Sequence, residues 1–194
     1  MQDVKWEVRK ANSEDVASIV GLSRNHEEFL MPYTFNPFVV GKYIDQFIIA
    51  EAPNMSIEGA QDLLMPSLLT NIGGALHVVP SGGSVCGKED FDRAVSFLFY
   101  VKQVPVDIIV GFFEREDIAI FGQIVCPGKA SFYHILEEVK KQYSELWCWM
   151  SVVGPSYKAY QRYGFEFSEE REFWNVYKCG YSKFTLGKWI KKEA

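Results

Sequence analysis

The chain has 194 residues, a length at which one well-buried domain is expected and two are not. Its hydrophobic content of 48% and aromatic content of 15% predict a packed globular protein rather than a disordered chain. The formal net charge of −5 argues against nucleic acid or an anionic membrane as the principal partner, because phosphate binding needs a concentrated basic surface.

The cysteines and the start of the chain indicate a cellular compartment. The four cysteines are far apart and include no Cys-x-x-Cys pair, so we expect neither a metal site nor a disulfide. Cys126 and Cys148 lie in apolar stretches, where a thiol behaves as a small hydrophobic group. No apolar signal run follows Met1, and no run reaches the ~18 residues of a spanning helix. We therefore expect a cytoplasmic protein that does not contact a membrane.

The N-terminal residues predict a strand followed at once by a helix. Residues 6–9 alternate between apolar and polar side chains, as in a half-buried strand. Asn12 then offers a helix cap, and acids follow it in the first turn. The helix continues through Val16, Ile19 and Val20, which recur at helical spacing.

The next part of the chain, residues 31–90, is broken by prolines and by the glycine pairs at 73–74 and 82–83. Within it, the pattern predicts one helix over residues 38–49, a second over 57–69 bent at Pro66, and a short strand over 75–79.

The segment that follows predicts an antiparallel hairpin. Residues 94–101 and 106–113 are rich in β-branched and aromatic side chains, which favours strands. Residues 114–117 are all charged and form a polar turn, and residues 118–126 are a further apolar strand. Two apolar runs joined by four charged residues are typical of a hairpin.

The remaining residues predict alternating helices and strands. A helix begins near Gly128 and places Phe132, Ile135, Leu136 and Val139 on one face. A strand over 145–152, a helix over 155–163 and a last strand over 172–179 follow. The mildly basic residues 183–192 are interpreted as a docked terminal element, with an oligomer contact, such as that of a homodimer, as the alternative.

The helix over 155–163 carries the most specific motif. Pro155 suits a first helical position, and Gly164 suits a C-terminal cap with positive φ. The run from Tyr160 through Arg162 and Gly164 to Phe165 resembles the Tyr-x-Lys/Arg-x-Gly-Phe segment of the GNAT superfamily of N-acetyltransferases. The resemblance implies that Tyr160 protonates the departing coenzyme A thiolate, and that Ser156 fills the small-residue position four before it.

A second stretch resembles the cofactor loop of the same superfamily, Gln/Arg-x-x-Gly-x-Gly/Ala. It runs from Val125 through Cys126, Gly128 and Lys129 to Ala130. The resemblance implies that coenzyme A pyrophosphate binds the N–H groups of the loop and first helical turn, through Ser131, since a helix N-terminus presents unpaired donors to an anion. A backbone N–H near Gln123, Ile124 or Val125 would polarise the thioester carbonyl.

Three positions depart from the superfamily pattern. Val125 replaces a glutamine or arginine, Pro127 removes a donor from the loop, and Val153 replaces an asparagine that often holds the pantetheine arm. The alternative interpretation is therefore an amphipathic helix with core aromatics and a glycine cap, following a plain strand–turn–helix junction.

The general base is left unassigned, and no histidine is a strong candidate. The base candidates are Glu27, Glu28, Glu114, Glu116 and Asp117. Of the histidines, His77 is expected to be a core residue, His134 to face solvent and His26 to interact with helix carbonyls. We expect no metal, because no metal-ligand spacing occurs.

The resemblance implies an α+β fold with a central, mainly antiparallel mixed sheet and flanking helices. We expect one domain over 1–194, with 31–90 as the variable, substrate-side region and 106–180 as the cofactor-binding half. The strands before Gly128 and before Gly154 should be adjacent, parallel and splayed apart. The implied activity is direct acyl transfer from acetyl-CoA to a primary amine of a small molecule or protein. The alternatives are a catalytically inactive binding or structural module of the same fold, and an unrelated α/β domain.

Overall fold

The computed structural model describes residues 6–24, 32–52, 72–81, 88–126, 129–168, 170–175 and 178–192. The strands in these ranges are β1 Glu7–Lys10, β2 Phe47–Glu51, β3 Ile72–Pro80, β4 Ile118–Val125, β5 Glu145–Ser151, β6 Glu166–Phe167, β7 Arg171–Asn175 and β8 Gly180–Ile190. The helices are α1 Val16–Arg24, α2 Pro37–Lys42, α3 Lys88–Ser96, α4 Val106–Phe113, α5 Lys129–Gln142 and α6 Pro155–Arg162. None of these helices is long and apolar enough to cross a membrane.

The strands form one mixed sheet in the order β1-β2-β3-β4-β5-β8-β6, and β7 also pairs with β8. Strand β4 is parallel to β5, whereas β1–β2, β2–β3, β5–β8, β6–β8 and β7–β8 are antiparallel. This sheet with its flanking helices confirms the expected mainly antiparallel α+β architecture.

The chain divides into two compact units. The first unit comprises Met1–His77 and Gln123–Val139, and the second comprises Val78–Gly122 and Lys140–Ala194. The boundaries fall inside β3, β4 and α5. The expectation of a single domain over 1–194 stays a prediction.

In the first unit, the predicted N-terminal strand, the Asn12 cap and the helix that follows are confirmed. The side chain of Asn12 accepts a hydrogen bond from the N–H of Glu14, and Asp15 accepts one from the N–H of Asn12, which closes a capping box before α1. Arg9 of β1 donates to Asp15 at 2.8 Å and to Glu51 of β2 at 2.9 Å. The hydrogen bond from Arg9 lowers the pKa of Asp15. Strand β1 is thereby tied to both α1 and β2.

The predicted helix over residues 38–49 is wrong in its second half. Helix α2 ends at Lys42, a 3-10 turn covers Ile44–Gln46, and β2 begins at Phe47. The four residues from Phe47 to Ala50 are all buried, and a short, fully apolar run has no period that separates a strand from a buried helix. The predicted helix over residues 57–69 lies outside the described residues.

Glycines 73 and 74 do not break the chain but lie inside β3, which is longer than the predicted strand over 75–79. A Cβ atom at Gly74 would lie 2.7 Å from the Cys126 sulfur, and one at Gly73 would overlap the ring of Trp6. Glycine is needed at these two positions because neighbouring side chains approach the backbone closely.

In the second unit, the predicted hairpin is wrong. Residues 94–101 complete α3 and a π-helical turn, Phe97–Val101, and residues 106–113 are helix α4. The buried residues Ile108, Ile109 and Phe112 have helical spacing, which outweighs their β propensity. The strand predicted over 118–126 is confirmed as β4, but its neighbours are β3 and β5.

The C-terminal elements are confirmed, with one addition. Helices α5 and α6 and strand β5 lie where they were predicted, and the four apolar residues predicted to share a face of α5 are all buried. The predicted last strand ends at Asn175 as β7, and an eleven-residue strand, β8, follows it. Strand β8 pairs with β5 from Glu145–Ile190 to Ser151–Phe184, so the segment interpreted as a docked terminal element is a sheet strand.

Candidate active site

The predicted site residues fall into two groups, one in each unit, and each group is described by itself. The first unit holds the residues of the predicted cofactor loop, and the second holds Ser156 and Tyr160. Gly128 and Pro127 lie outside the described residues.

The first group joins the end of β4 to the first turn of α5. Val125 is buried and Ile124 is half-buried, whereas Lys129 and Ala130 are exposed at the start of the 14-residue helix α5. The first N–H groups of a helix have no intrahelical acceptor and favour an anion. The exposed first turn, with the cation of Lys129 on it, therefore suits a phosphate group.

Cys126 and Ser131 pack inward beside this turn. Burial raises the pKa of Cys126 to about 12, and a hydrogen bond with the Ser131 side chain opposes the shift. Ser131 itself is fully buried. Cys126 is thus a neutral thiol that packs as a small hydrophobic group, as expected from the sequence, and only the backbone of Ser131 is suited to a ligand.

The second group lies beside the parallel ladder of β4 and β5. The paired residues run from Ile118–Glu145 to Phe121–Cys148. Both strands continue past the last pair, β4 to Val125 and β5 to Ser151, and β5 there pairs with β8. The two strands are adjacent and parallel as predicted. The predicted splay stays a prediction.

Helix α6 ends in a Schellman motif, in which Gly164 has φ +86°. The N–H of Phe165 donates to the carbonyl of Tyr160 at 3.1 Å, and the N–H of Gly164 donates to that of Gln161 at 3.1 Å. The rings of Tyr160 and Phe165 meet edge to face with centroids 4.9 Å apart. The Gly-Phe pair of the motif is therefore a helix cap that fixes the position of Tyr160.

Tyr160 is 3% exposed, and its ring centroid lies 5.9 Å from that of Phe121. Phe121 belongs to the last pair of the β4–β5 ladder. The tyrosine therefore lies beside the point at which the ladder ends. Ser156, in the first turn of α6, is half-buried, whereas Val153 is 79% exposed in the turn before it.

The candidate bases that the structure describes lie between α4 and β4. Glu114, Glu116 and Asp117 are exposed, and Glu27 and Glu28 lie outside the described residues. A buried carboxylate that sequence reasoning missed, Glu145, accepts a hydrogen bond from the Trp147 indole at 2.8 Å and pairs with Arg115 at 2.6 Å. Because both contacts are with neighbouring side chains of the fold, we interpret Glu145 as a structural residue.

Sequence reasoning also missed a buried amine in the second unit. Lys102 is 6% exposed, and burial lowers its pKa to about 8. Burial raises the pKa of Cys148, which interacts electrostatically with Lys102, to about 12. The sequence signal for this burial was the position of Lys102, which follows the apolar run 97–101 and precedes the apolar residue Val104, with Gln103 as the other polar residue between them.

His77 is a core residue, as predicted. It is fully buried, its Nε2 lies 2.9 Å from Gln46 Oε1, and its ring stacks on Phe47 at 4.7 Å. His134 is exposed, as predicted, and His26 lies outside the described residues. Among the residues that the structure describes, no cluster of His, Cys, Asp and Glu side chains is suited to a metal ion.

No protein-family model matches the chain, and no curated protein matches its sequence. Solved structures do match its fold. A GNAT-family acetyltransferase from Bacillus cereus has a TM-score of 0.56 at 12% identity, over 97% of this chain and 99% of the other. A ribosomal-protein-alanine N-acetyltransferase from Brucella melitensis has a TM-score of 0.55 at 11% identity, over 95% and 99%.

A third match was solved with coenzyme A. It is N-acetylglutamate synthase from Neisseria gonorrhoeae, complexed with coenzyme A and N-acetyl-glutamate, with a TM-score of 0.52 at 14% identity. The match covers 98% of this chain and 36% of the synthase. The sheet order, the parallel β4–β5 pair and these matches together show that the chain has the fold of the GNAT acetyltransferases.

Proposed function

We propose that the protein is an acetyl-CoA-dependent N-acetyltransferase that transfers an acyl group directly to a primary amine of a small molecule or a protein. The observation that carries the proposal is the position of Tyr160, which a helix cap holds beside the end of the β4–β5 ladder. In the alternative, Tyr160 is only a core residue, and its hydroxyl is buried against a backbone acceptor away from the splayed strands; the Tyr160→Phe experiment described below separates the two. The acetyltransferases that share the fold support the same activity.

In this proposal Tyr160 is the general acid. The amine nitrogen attacks the thioester carbonyl, the carbon–sulfur bond breaks, and the departing thiolate takes the proton of the Tyr160 hydroxyl. The amine gives up its proton to a base that is not assigned. The phenolic hydroxyl of a tyrosine is a proton donor, which is the group that this step requires.

The coenzyme A pyrophosphate is assigned to the first turn of α5. The donors are the backbone N–H groups of Gly128, Lys129, Ala130 and Ser131, and Lys129 adds a positive charge. The N–H groups of Ile124, Val125 and Cys126, at the end of β4, are assigned to the acyl and pantetheine end. The exposure of Lys129 and Ala130 fits this role because a bulky anion needs access to the helix terminus.

A second candidate function, a binding or structural module without catalysis, is favoured by one observation. Val153, where the superfamily often has an asparagine, is 79% exposed and has no polar group to hold the pantetheine arm. This module would retain the fold and lack turnover. The thiols of Cys126 and Cys148 suit either function in the reducing cytoplasm, where we place the protein.

Calorimetric titration with acetyl-CoA tests the proposal. We expect micromolar binding, and we expect Lys129→Glu to weaken it by about tenfold, or roughly 1.4 kcal/mol, by placing a negative charge beside the phosphates. Lys141→Glu is the matched control because it makes the same charge change at the other end of α5. No binding to the unaltered protein, or equal effects of the two variants, would refute this placement of the cofactor.

A further inference from the structure

The second unit carries an apolar groove that the proposed function does not use. Helices α3 and α4 form it, with a volume of about 530 Å³. The rings of Phe91, near the start of α3, and Phe113, at the end of α4, are 4.8 Å apart, and the short link of residues 102–105 joins the other two ends, so the two helices run antiparallel. The lining residues are Phe91, Val95, Phe99, Val106, Ile109, Val110, Phe113 and Glu114.

Helix α4 is apolar on two faces, and the residues that the structure describes cover one of them. Ile108 and Phe112 are buried in the second unit, whereas Val106 and Val110 are 59% and 51% exposed. A helix that is hydrophobic all round is normally covered on every side. Isolated exposed apolar residues need no explanation, but these residues continue into the exposed rings of Phe91 and Phe99 on the facing helix.

The area of this surface suits one helix rather than a whole domain. The exposed parts of the lining residues Phe91, Phe99, Val106 and Val110 amount to roughly 350 Å², given ~150–250 Å² for each aromatic side chain. A stable interface between two folded domains buries about 800 Å² on each partner. A second copy of this chain would therefore need more surface than the groove provides.

The end of the groove at which α3 begins and α4 ends is acidic. Among the described residues there, the carboxylates of Glu89, Asp92, Glu114 and Glu116 are exposed and outnumber the exposed ammonium of Lys88, and Glu114 lines the groove itself. Two nearby arginines are engaged by acids, Arg93 by Asp90 and Arg115 by Glu145. At the opposite end, Asp107 pairs with Arg171 at 2.7 Å. The acidic end favours a ligand with a positive charge at the matching end.

We propose that this groove binds one amphipathic α-helix of a partner protein. The apolar residues of that helix, spaced at i, i+3, i+4 and i+7, lie between α3 and α4, and its Lys or Arg residues face Glu114. The proposal does not depend on acetyl transfer, so it can fail or succeed separately from the proposed function.

Two synthetic helical peptides test the proposal by fluorescence anisotropy with the full chain. Both carry leucine at i, i+3, i+4 and i+7, and one has lysine on its polar face where the other has glutamate. We expect the lysine peptide to bind at least about tenfold more tightly, because only it complements the acidic end of the groove. No binding of either peptide would overturn the proposal.

The variant Val110→Glu separates docking in the groove from general charge attraction. It makes the protein more acidic, so general attraction of the lysine peptide would strengthen, whereas docking should weaken about tenfold or more because a charge enters the apolar lining. Ile190→Glu is the control because it makes the same charge change at another exposed β-branched residue, and it should not weaken binding. Equal or tighter binding by Val110→Glu would refute the proposal.

Sedimentation velocity of the unaltered protein and of the Val110→Glu variant tests whether a second copy of this chain, rather than a partner helix, covers the groove. A monomer in both cases is expected. Self-association that Val110→Glu abolishes would show that a second copy covers the groove, and this result would also overturn the partner-helix proposal.

Discussion

Helix α6 and the π-helical turn that follows α3 both end at a residue with positive φ, but with different residues and hydrogen bonds. After α6 the chain turns at Gly164, with φ +86°, and the N–H of the following Phe165 bonds back to Tyr160. After α3 and its π-helical turn the chain turns at Gln103, with φ +54°, and the N–H of the following Val104 bonds back to Leu98 at 2.9 Å. Both ends thus place one residue in the left-handed region before a buried apolar residue.

The difference shows whether the local sequence or tertiary packing determines where each helix ends. At α6 the glycine adopts positive φ at no steric cost, so the local sequence and the structure agree. At α3 a glutamine occupies the left-handed position, so the burial of Leu98 and Val104 on either side has to stabilise the turn. One end is encoded locally and the other by tertiary packing.

Each region also buries one polar side chain among aromatic residues. Tyr160 lies between Phe121 and Phe165, and Lys102 directly follows the π-helical turn Phe97–Val101. In the proposed function the hydroxyl of Tyr160 serves catalysis, whereas no role is assigned to the amine of Lys102. Removing one group should therefore reduce activity, and removing the other should increase stability.

The largest expected effect is that of Tyr160→Phe on turnover. Loss of the general acid should lower kcat by ~10²–10⁴-fold, because the thiolate then leaves without a proton. The affinity for acetyl-CoA and the melting temperature should change little, since only a hydroxyl is removed. Steady-state kinetics with acetyl-CoA and a primary amine, together with thermal unfolding, measure both quantities.

Tyr157→Phe is the control for this experiment, because Tyr157 lies in the same helix and its ring packs on Phe167. It should leave kcat unchanged. If Tyr160→Phe unfolds at a lower temperature and turns over normally, Tyr160 is a core residue and the catalytic assignment is wrong.

Lys102→Met should stabilise the protein by about 3 kcal/mol at pH 7, given a pKa that falls from 10.5 to about 8 on folding. Because the folded state binds the proton less tightly than the unfolded state, the charged lysine opposes folding fully below about pH 8. This penalty is relieved as the pH rises from about 8 to 10.5. Urea unfolding at several pH values should therefore show a difference between the two proteins that shrinks across this range.

Comparison at each pH removes the effect of Cys126, and it removes that of Cys148 apart from the electrostatic interaction of this thiol with Lys102. Cys126 and Cys148 have raised pKa values of about 12, so the folded state keeps their protons and stability falls above pH 9 in both proteins. Lys158→Met, at an exposed position, should leave stability nearly unchanged. A Lys102→Met protein that is less stable than the unaltered one would show that the amine has a stabilising partner.

The sequence predicted the elements whose signals are local. The Asn12 cap, the buried face of α5 and the end of α6 depend on side chains within a few residues of one another. The segments 94–101 and 106–113 and strand β2 were misassigned because β-branched and aromatic residues suit both a strand and a buried helix, and tertiary packing decides between them. Strand β8 was missed because the basic residues 183–192 were interpreted as a docked terminal element, although polar residues that alternate with apolar ones are equally typical of a half-buried strand.

In the candidate site, too, the sequence predicted only what a local motif encodes. The motif located Tyr160 on a helix ended by Gly164, and the structure explains why the glycine and Phe165 accompany it. The catalytic role and the cofactor contacts stay predictions. Glu145 and Lys102 were not singled out, because the burial of one charged residue depends on strands and helices that are distant in the chain.

The smallest expected effects come from exchanging the residues at the two helix ends. Gly164→Ala should cost about 1–2 kcal/mol, because alanine is strained at φ +86°. Gln103→Gly should instead stabilise the protein by up to about 1 kcal/mol, since relief of the left-handed strain exceeds the entropy that glycine loses on folding. Urea unfolding measures both, with the slope of the transition showing whether the unfolded state has changed. Opposite signs would confirm that α6 is ended by its own sequence and α3 by its surroundings. If Gln103→Gly were destabilising, the glutamine side chain itself would hold the turn, and both helix ends would be locally encoded.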